Sequence, residues 1–310
     1  MFLIIIEMKS KLWLILPGGG VKGTFQYGYI KGLLSSFPDA EIERVYGTSV
    51  GAIMAPLVAA KRFDLIDTLF ENIQNINDVF QPWNWLENRI KILPIITRMG
   101  AFRKVKLVDA VLDLMKKNMT LDEIENAFSK VSVVAWDFIN KKEEWFSDKD
   151  VPFGMKASSA LAPMVPPVEK NGVLYTDGGI TEIIPISKAL HDFRQLQDDD
   201  DRIMLVVDCS TRVPQKSQRP NDILTFMSSL LSDACSGLTL RELELAKNNF
   251  PGKIHYVKPL KESFENAIHI DKDIMKKVVD EAYQQALSDF PRIATIDTSN
   301  VDDGGFISRT

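Results

Sequence analysis

A chain of 310 residues with 45% hydrophobic, 25% charged and 9% aromatic residues has the apolar content to bury one large core or two small ones, which excludes a disordered or collagen-like chain. Thirty-seven basic against 42 acidic residues give a formal net charge of −5, so the molecule as a whole is not expected to attract nucleic acid. Two cysteines, Cys209 and Cys235, are too few for a disulfide framework and read as buried thiols of a reducing compartment.

Residues 1–6 are apolar, but the run is short, has no basic residues ahead of it and gives way to Glu7, Lys9 and Lys11. It does not read as a signal peptide. Met8 offers a second natural start, and residues 1–10 are expected to be an extension outside the fold. No later stretch reaches the ~20 uninterrupted apolar residues of a membrane-spanning helix. The expected location is therefore cytoplasmic, with peripheral membrane contact as the alternative.

Residues 12–16 are solidly apolar and of a length that suits a strand buried on both faces, as in a parallel sheet. After glycines at 18–20, residues 21–37 read as a helix, 43–46 as a second strand ending in Gly47-Thr48-Ser49, and 52–60 as a helix of small residues. Helical periodicity marks 64–74 and 105–117, and Thr120 with Glu123 predicts a capping box opening another helix. Residues 131–138 read as a strand, and the charged 141–144 before Trp145-Phe146 as a hairpin or a short crossover. Further strands are expected at 173–176, 202–209 and 254–257, with helices at 221–248 and 271–290. The acidic run 198–201 reads as a solvated loop, 211–220 as a surface loop, and 291–310 as a frayed tail. Alternating strands and helices imply an α/β fold with a parallel or mixed sheet covered on both faces, in one domain over residues 11–290.

Three loops could carry chemistry. Gly18-Gly19-Gly20-Val21-Lys22-Gly23 lies between a buried strand and a helix, where bare amides can face a phosphate or an oxyanion. Gly18, Gly20 and Gly23 also satisfy the letters of a dinucleotide fingerprint, which needs an acidic residue at the end of the second strand; Glu41 and Glu43 stand before that strand instead. Gly47-Thr48-Ser49-Val50-Gly51 has the small flanking residues of a sharp strand-to-helix turn that lifts a serine hydroxyl clear of the backbone. A packed helix start with Ser49 as a cap is the blander reading. Asp177-Gly178-Gly179 follows the strand 173–176, again at the carboxyl end of a strand, where ligands of α/β sheets gather. The same letters at Asp303-Gly304-Gly305 sit in the polar tail with no strand before them and read as a decoy. A nucleophilic serine needs a base, and the chain offers three histidines, His191, His255 and His269, none in a diagnostic setting.

In this order, the glycine loop, the serine turn and Asp-Gly-Gly resemble the patatin-like phospholipase family. The resemblance spans about residues 12–210 and includes Ala157-Ser158-Ser159-Ala160, Pro163, Pro166 and Pro167 on the way to Tyr175-Thr176-Asp177. It implies a three-layer α/β/α sandwich with a mostly parallel central sheet. It also implies that Ser49 is the nucleophile, Asp177 its sole partner in a dyad, and Gly18, Gly19 and Gly20 the lining of an oxyanion hole. The implied activity is hydrolysis of phospholipid or other lipid acyl esters, of the phospholipase A or lysophospholipase type, through an acyl-enzyme and without metal or organic cofactor. Pro17 and Val21 depart from the residues common there, and neither removes an amide from the glycine loop.

A lipid substrate directs attention to residues 83–106, where Trp83, Trp85, Leu86 and Ile90 are interspersed with Arg89, Lys91, Arg98 and Lys104. That mixture suits either adsorption to an anionic membrane surface or packing of a helix on the core. Three alternatives stay open. One is a serine–histidine–aspartate esterase using a later aspartate with His255 or His269. Another is a nucleotide- or phosphate-binding module using Gly18 to Gly23. The third is an inactive relative that recognises lipid.

Overall fold

The structure, a computed structural model, describes residues 11–83, 100–196, 202–210, 243–244, 246–250, 252–261, 263–264, 267–268 and 270–289. The expected N-terminal extension, the loops at 198–201 and 211–220, most of the 221–248 helix, the tail, Cys235 and residues 84–99 of the aromatic and basic stretch lie outside the described residues.

Strand β1, Lys11–Leu16, leads through the glycine loop and a single 3-10 turn, Gly20–Lys22, into α1, Gly23–Ser36. Next come β2, Glu41–Gly47, and the helices α2, Val50–Ala59, and α3, Phe63–Glu71. A short α4, Ile76–Val79, is followed by a two-stranded ribbon of β3, Phe80–Gln81, and β4, Lys104–Val105. Helices α5, Lys106–Asn118, and α6, Leu121–Ser129, precede β5, Val131–Asp137, and β6, Lys142–Ser147. Then come α7, Val151–Ser158, the strands β7, Val168–Lys170, and β8, Val173–Asp177, and α8, Ser187–Arg194. Finally β9, Arg202–Val207, and β10, Ile254–Val257, are followed by α9, Lys272–Asp289.

Strands β10, β9, β1, β2 and β5 run parallel in that spatial order. The middle strand shows why. Leu12, Leu14 and Leu16 point into the core formed with α1, α2, α5 and α9, whereas Trp13 and Ile15 point into a second core with Tyr46, Phe193 and Met204. Successive side chains of a strand face opposite ways, so an unbroken apolar run fits only a sheet covered on both faces, and helices on either side complete three layers.

The far end of the sheet differs from a simple parallel continuation. A turn at 138–141 closes a hairpin whose second strand begins in the charged residues 142–144, so β6 runs antiparallel to β5 and covers its residues 132–137. On β5, β2 pairs with Val131, Ser132 and Val133, and β8 pairs antiparallel with Ala135, Trp136 and Asp137. Both overlap the part already covered by β6, so both lie on the other edge. Strands β2 and β8 therefore share one edge of β5 and run toward each other, with Gly47 opposite Val133 and Asp177 opposite Ala135. Asp177 stands at the carboxyl end of β8, as expected, and β8 itself runs antiparallel to β5.

Helix α7 opens with Pro152, where a missing amide hydrogen costs little, and α8 buries only Ala189 and Phe193; neither helix was anticipated from the sequence. The Thr120 capping box is present: the Thr120 hydroxyl accepts the Glu123 amide at 3.3 Å, and Glu123 accepts the Thr120 amide at 2.7 Å. Replacing Thr120 by alanine removes one of these bonds from an exposed helix end. It should lower stability by about 1 kcal/mol in urea unfolding; an unchanged midpoint would show that the cap contributes nothing.

Candidate active site

Ser49 stands between the end of β2 and the first turn of α2, with φ 53° and ψ −118°. A non-glycine residue in that region costs about 1–3 kcal/mol and persists only where its surroundings hold it. Several bonds do so. The Thr48 amide donates to the Leu16 carbonyl at 3.1 Å, the Thr48 hydroxyl donates to the Glu182 carbonyl at 2.9 Å, and the Ser49 amide donates to Ser158 Oγ at 2.9 Å. Gly51 lets α2 lie directly on β1, since a Cβ there would stand 2.0 Å from the Leu16 carbonyl oxygen.

The Ser49 side chain lies beside the carboxylate of Asp177 and acts to lower its pKa. Asp177 is 2% exposed, and its Oδ1 also accepts the Gly179 amide at 2.8 Å. Burial pushes its pKa up to about 6, while Ser49 and the Gly179 amide act in the opposite direction. Its own amide is fixed by the Ala160 carbonyl at 3.0 Å. The meeting of β2 and β8 on one edge of β5 thus brings together the two residues that the sequence singled out.

The glycine loop closes the same space, but its amides are not equivalent. Gly18 donates to the Ile183 carbonyl at 2.9 Å and Val21 to the Ala267 carbonyl at 2.8 Å. Among the described residues, no protein acceptor takes the amides of Gly19 and Gly20. Gly20 has φ +58°, and a Cβ there would lie 2.0 Å from the Ala267 carbonyl oxygen. Of the three amides expected to face an anion, the one on Gly18 is already used inside the protein. The carboxyl end of β2 carries no acid for a ribose, and Glu43, at its other end, is held by Arg202 at 2.8 Å.

A cavity of about 170 Å³ joins these groups. Gly18, Gly19, Gly20, Ser49, Asp177 and Gly179 line one part. Apolar side chains from several elements line the rest, including Val50 and Ile53 of α2, Phe70 of α3, Phe80 of β3, Met164, and Met275 of α9. Asp177 is the one charged side chain in the described lining. His191 is exposed on α8 and His255 lies in β10; neither lines the cavity, and His269 is outside the described residues. Among the described residues no three His, Cys, Asp or Glu side chains are grouped to hold a metal ion, and no helix is long and apolar enough to cross a membrane. At the flanks of the 83–106 stretch, the Trp83 indole donates to the Gly100 carbonyl at 3.2 Å and Phe102 stacks on Phe80 at 5.0 Å, so these two aromatics pack inward.

A family model described as patatin-like phospholipase matches residues 14–190. Over 183 residues the chain is 28% identical to proteins of Mycobacterium bovis and Mycobacterium tuberculosis named as uncharacterized NTE family proteins. The match covers 58% of this chain and 45% of each of them, so the chain spans less than half the length of these curated relatives. Among solved structures it is similar to VipD from Legionella pneumophila, with a TM-score of 0.44 at 14% identity, covering 91% of this chain and 66% of that one. It is also similar to ExoU in complex with SpcU from the type III secretion system of Pseudomonas aeruginosa, with a TM-score of 0.38 at 14% identity, covering 90% and 51%.

A second buried acid adjoins the site, and the sequence did not single it out. Glu182 accepts the Ser187 amide at 2.6 Å and the Ser187 hydroxyl at 2.7 Å, and its carboxyl lies near that of Glu143 on β6. Burial, and then the Glu143 carboxyl, push the Glu182 pKa from 4.5 up to about 8. A carboxyl whose pKa is raised by folding contributes its full stability below the unfolded value and loses it as pH rises through the folded one. Wild-type stability should therefore decline from about pH 4.5 to about pH 8. In Glu182→Gln, which keeps an acceptor for the Ser187 amide, the melting temperature should lose less across that window and exceed that of the wild type at its alkaline end. An identical slope in both proteins would refute the assignment.

Proposed function

The chain belongs to the patatin-like phospholipase family, and from that premise we propose that it is a serine acyl hydrolase cleaving carboxylic esters of lipids at Ser49. The observation that carries the reading is the Ser49 side chain set beside a buried Asp177, the one charged side chain in the described lining of a largely apolar cavity.

Asp177 is the general base. An ordinary carboxylate is too weak a base to withdraw a proton from a hydroxyl efficiently, and a base works best when its pKa lies near the working pH. Burial moves Asp177 toward that optimum and still leaves it mostly ionised at neutral pH. As Ser49 Oγ attacks the ester carbonyl carbon, its proton passes to Asp177 and the carbonyl oxygen becomes an oxyanion. The amides of Gly19 and Gly20 receive it; Gly18 shapes the loop, its own amide being taken by Ile183. One such donor commonly supplies about 3 kcal/mol of transition-state stabilisation. The tetrahedral intermediate collapses, the C–O bond to the alcohol breaks, and Asp177 returns the proton to that leaving oxygen. Water then attacks the acyl-enzyme, giving its proton to Asp177, and the carboxylic acid leaves as Ser49 regains its hydrogen.

The cavity suits the acyl side of the substrate. Its apolar lining removes hydrocarbon from water, and among the described lining residues there is no cation to select a phosphate-bearing head group. The substrate class supported is thus a lipid acyl ester, phospholipid or lysophospholipid included, recognised through its chain.

Hydrolysis of a p-nitrophenyl acyl ester and of a phospholipid should fall by about 10³-fold or more in Ser49→Ala and in Asp177→Asn, with near-ultraviolet circular dichroism unchanged. The double variant His191→Gln, His255→Gln should stay within about three-fold of wild type, because no imidazole takes part. Full activity in Asp177→Asn, or a collapse caused by losing an imidazole, would contradict the dyad.

A further inference from the structure

We propose that Ser158 is a positioning residue for the nucleophile, its side-chain oxygen holding the Ser49 amide and so fixing the strained turn against Asp177; this rests on reading Ser49 as the nucleophile. Ser158 ends α7 and is 0% exposed. Its Oγ accepts the Ser49 amide at 2.9 Å. Standing before the first turn of α2, Ser49 has no carbonyl of that helix within reach of its amide, so the acceptor must come from elsewhere.

The same short segment also holds the acid. The Ala160 carbonyl accepts the Asp177 amide at 3.0 Å and the Thr176 hydroxyl at 2.6 Å. Residues 158–160 thus grip the backbone of both members of the dyad, one through a side chain and the other through a carbonyl. The neighbouring serine does something else: Ser159 donates its hydroxyl back to the Met155 carbonyl at 2.7 Å, finishing the end of its own helix. Only Ser158 reaches across to the turn.

Without the Ser158 hydroxyl, the part-buried Ser49 amide loses its acceptor, and the positive φ loses a restraint that opposes its relaxation. Rotation of that peptide carries the Ser49 side chain away from Asp177. The loss falls on the chemical step, because Ser158 does not line the cavity that would hold the acyl chain.

The experiment compares wild type, Ser158→Ala and Ser158→Cys, the last similar in size but a weaker acceptor. In Ser158→Ala, kcat should fall about 10- to 100-fold with KM within about two-fold, and the rate of Ser49 labelling by a fluorophosphonate should fall in step. Ser158→Cys should lie between the two. In protein carrying ¹⁵N-serine, hydrogen exchange of the Ser49 amide should speed up in Ser158→Ala, a change that general loosening of α7 would not confine to that amide. Wild-type kcat and wild-type Ser49 protection in Ser158→Ala would overturn the proposal. So would equal kcat losses in both variants with the Ser49 amide undisturbed. If wild type neither hydrolyses esters nor labels, yet Ser49 protection still depends on Ser158, the nucleophile reading falls while the clamp stands.

Discussion

A carboxylate kept out of water beside one hydroxyl is the constraint on which the site depends. The Asp177 carboxylate lies beside Ser49 and accepts the Gly179 amide, and its burial leaves the ionised form under-solvated. An ion in that state gains by accepting a proton, and the hydroxyl next to it has one to give. On the proposed function, the cavity wall that makes the acid more basic is the same apolar surface that suits a hydrocarbon chain, so one physical cause would tune the base and favour a lipid substrate.

The arrangement is built from the backbone outward. Two strands that run toward each other on one edge of β5 bring a strand-to-helix turn and a strand end face to face. What locks them is mostly carbonyl oxygen: Leu16 and Glu182 hold Thr48, Ile183 holds Gly18, Ala267 holds Val21, and Ala160 holds Asp177. Loops from distant parts of the chain are thereby held to one another with few side-chain contacts between them. The stretch from Asp177 to Ser187 is central to this, since it carries the acid, the carbonyls that hold the turn and the glycine loop, and the buried Glu182 carboxyl. The buried Glu182 carboxyl, close to that of the half-buried Glu143, makes that stretch sensitive to alkali.

How far the sequence could be read follows from the same distinction. The apolar run of β1, the capping box at Thr120, the strand at Ile254–Val257 and the serine turn were legible because each depends on local residue type and period. The likeness of the three ordered motifs to one family added the pairing of Ser49 with Asp177. The direction of β8 was not legible: it depends on β6 having taken the other edge of β5, which no local pattern encodes. Nor was the loss of the Gly18 amide to Ile183, because any residue can supply a carbonyl. Ser158 was visible as part of a motif and yet had no readable role until its distance to the Ser49 amide was known. Glu182 looked like an ordinary charged residue because burial, which sets its behaviour, is a property of the fold.

The most direct test of the central claim is the pH dependence of covalent labelling of Ser49 by a fluorophosphonate, with the labelled residue identified by mass spectrometry. The account predicts modification at Ser49, with a rate that climbs through a single midpoint near pH 6, the pKa to which burial raises Asp177, and loses that midpoint in Asp177→Asn. Labelling at another residue, no labelling, or a midpoint that survives the loss of the Asp177 carboxylate would contradict it.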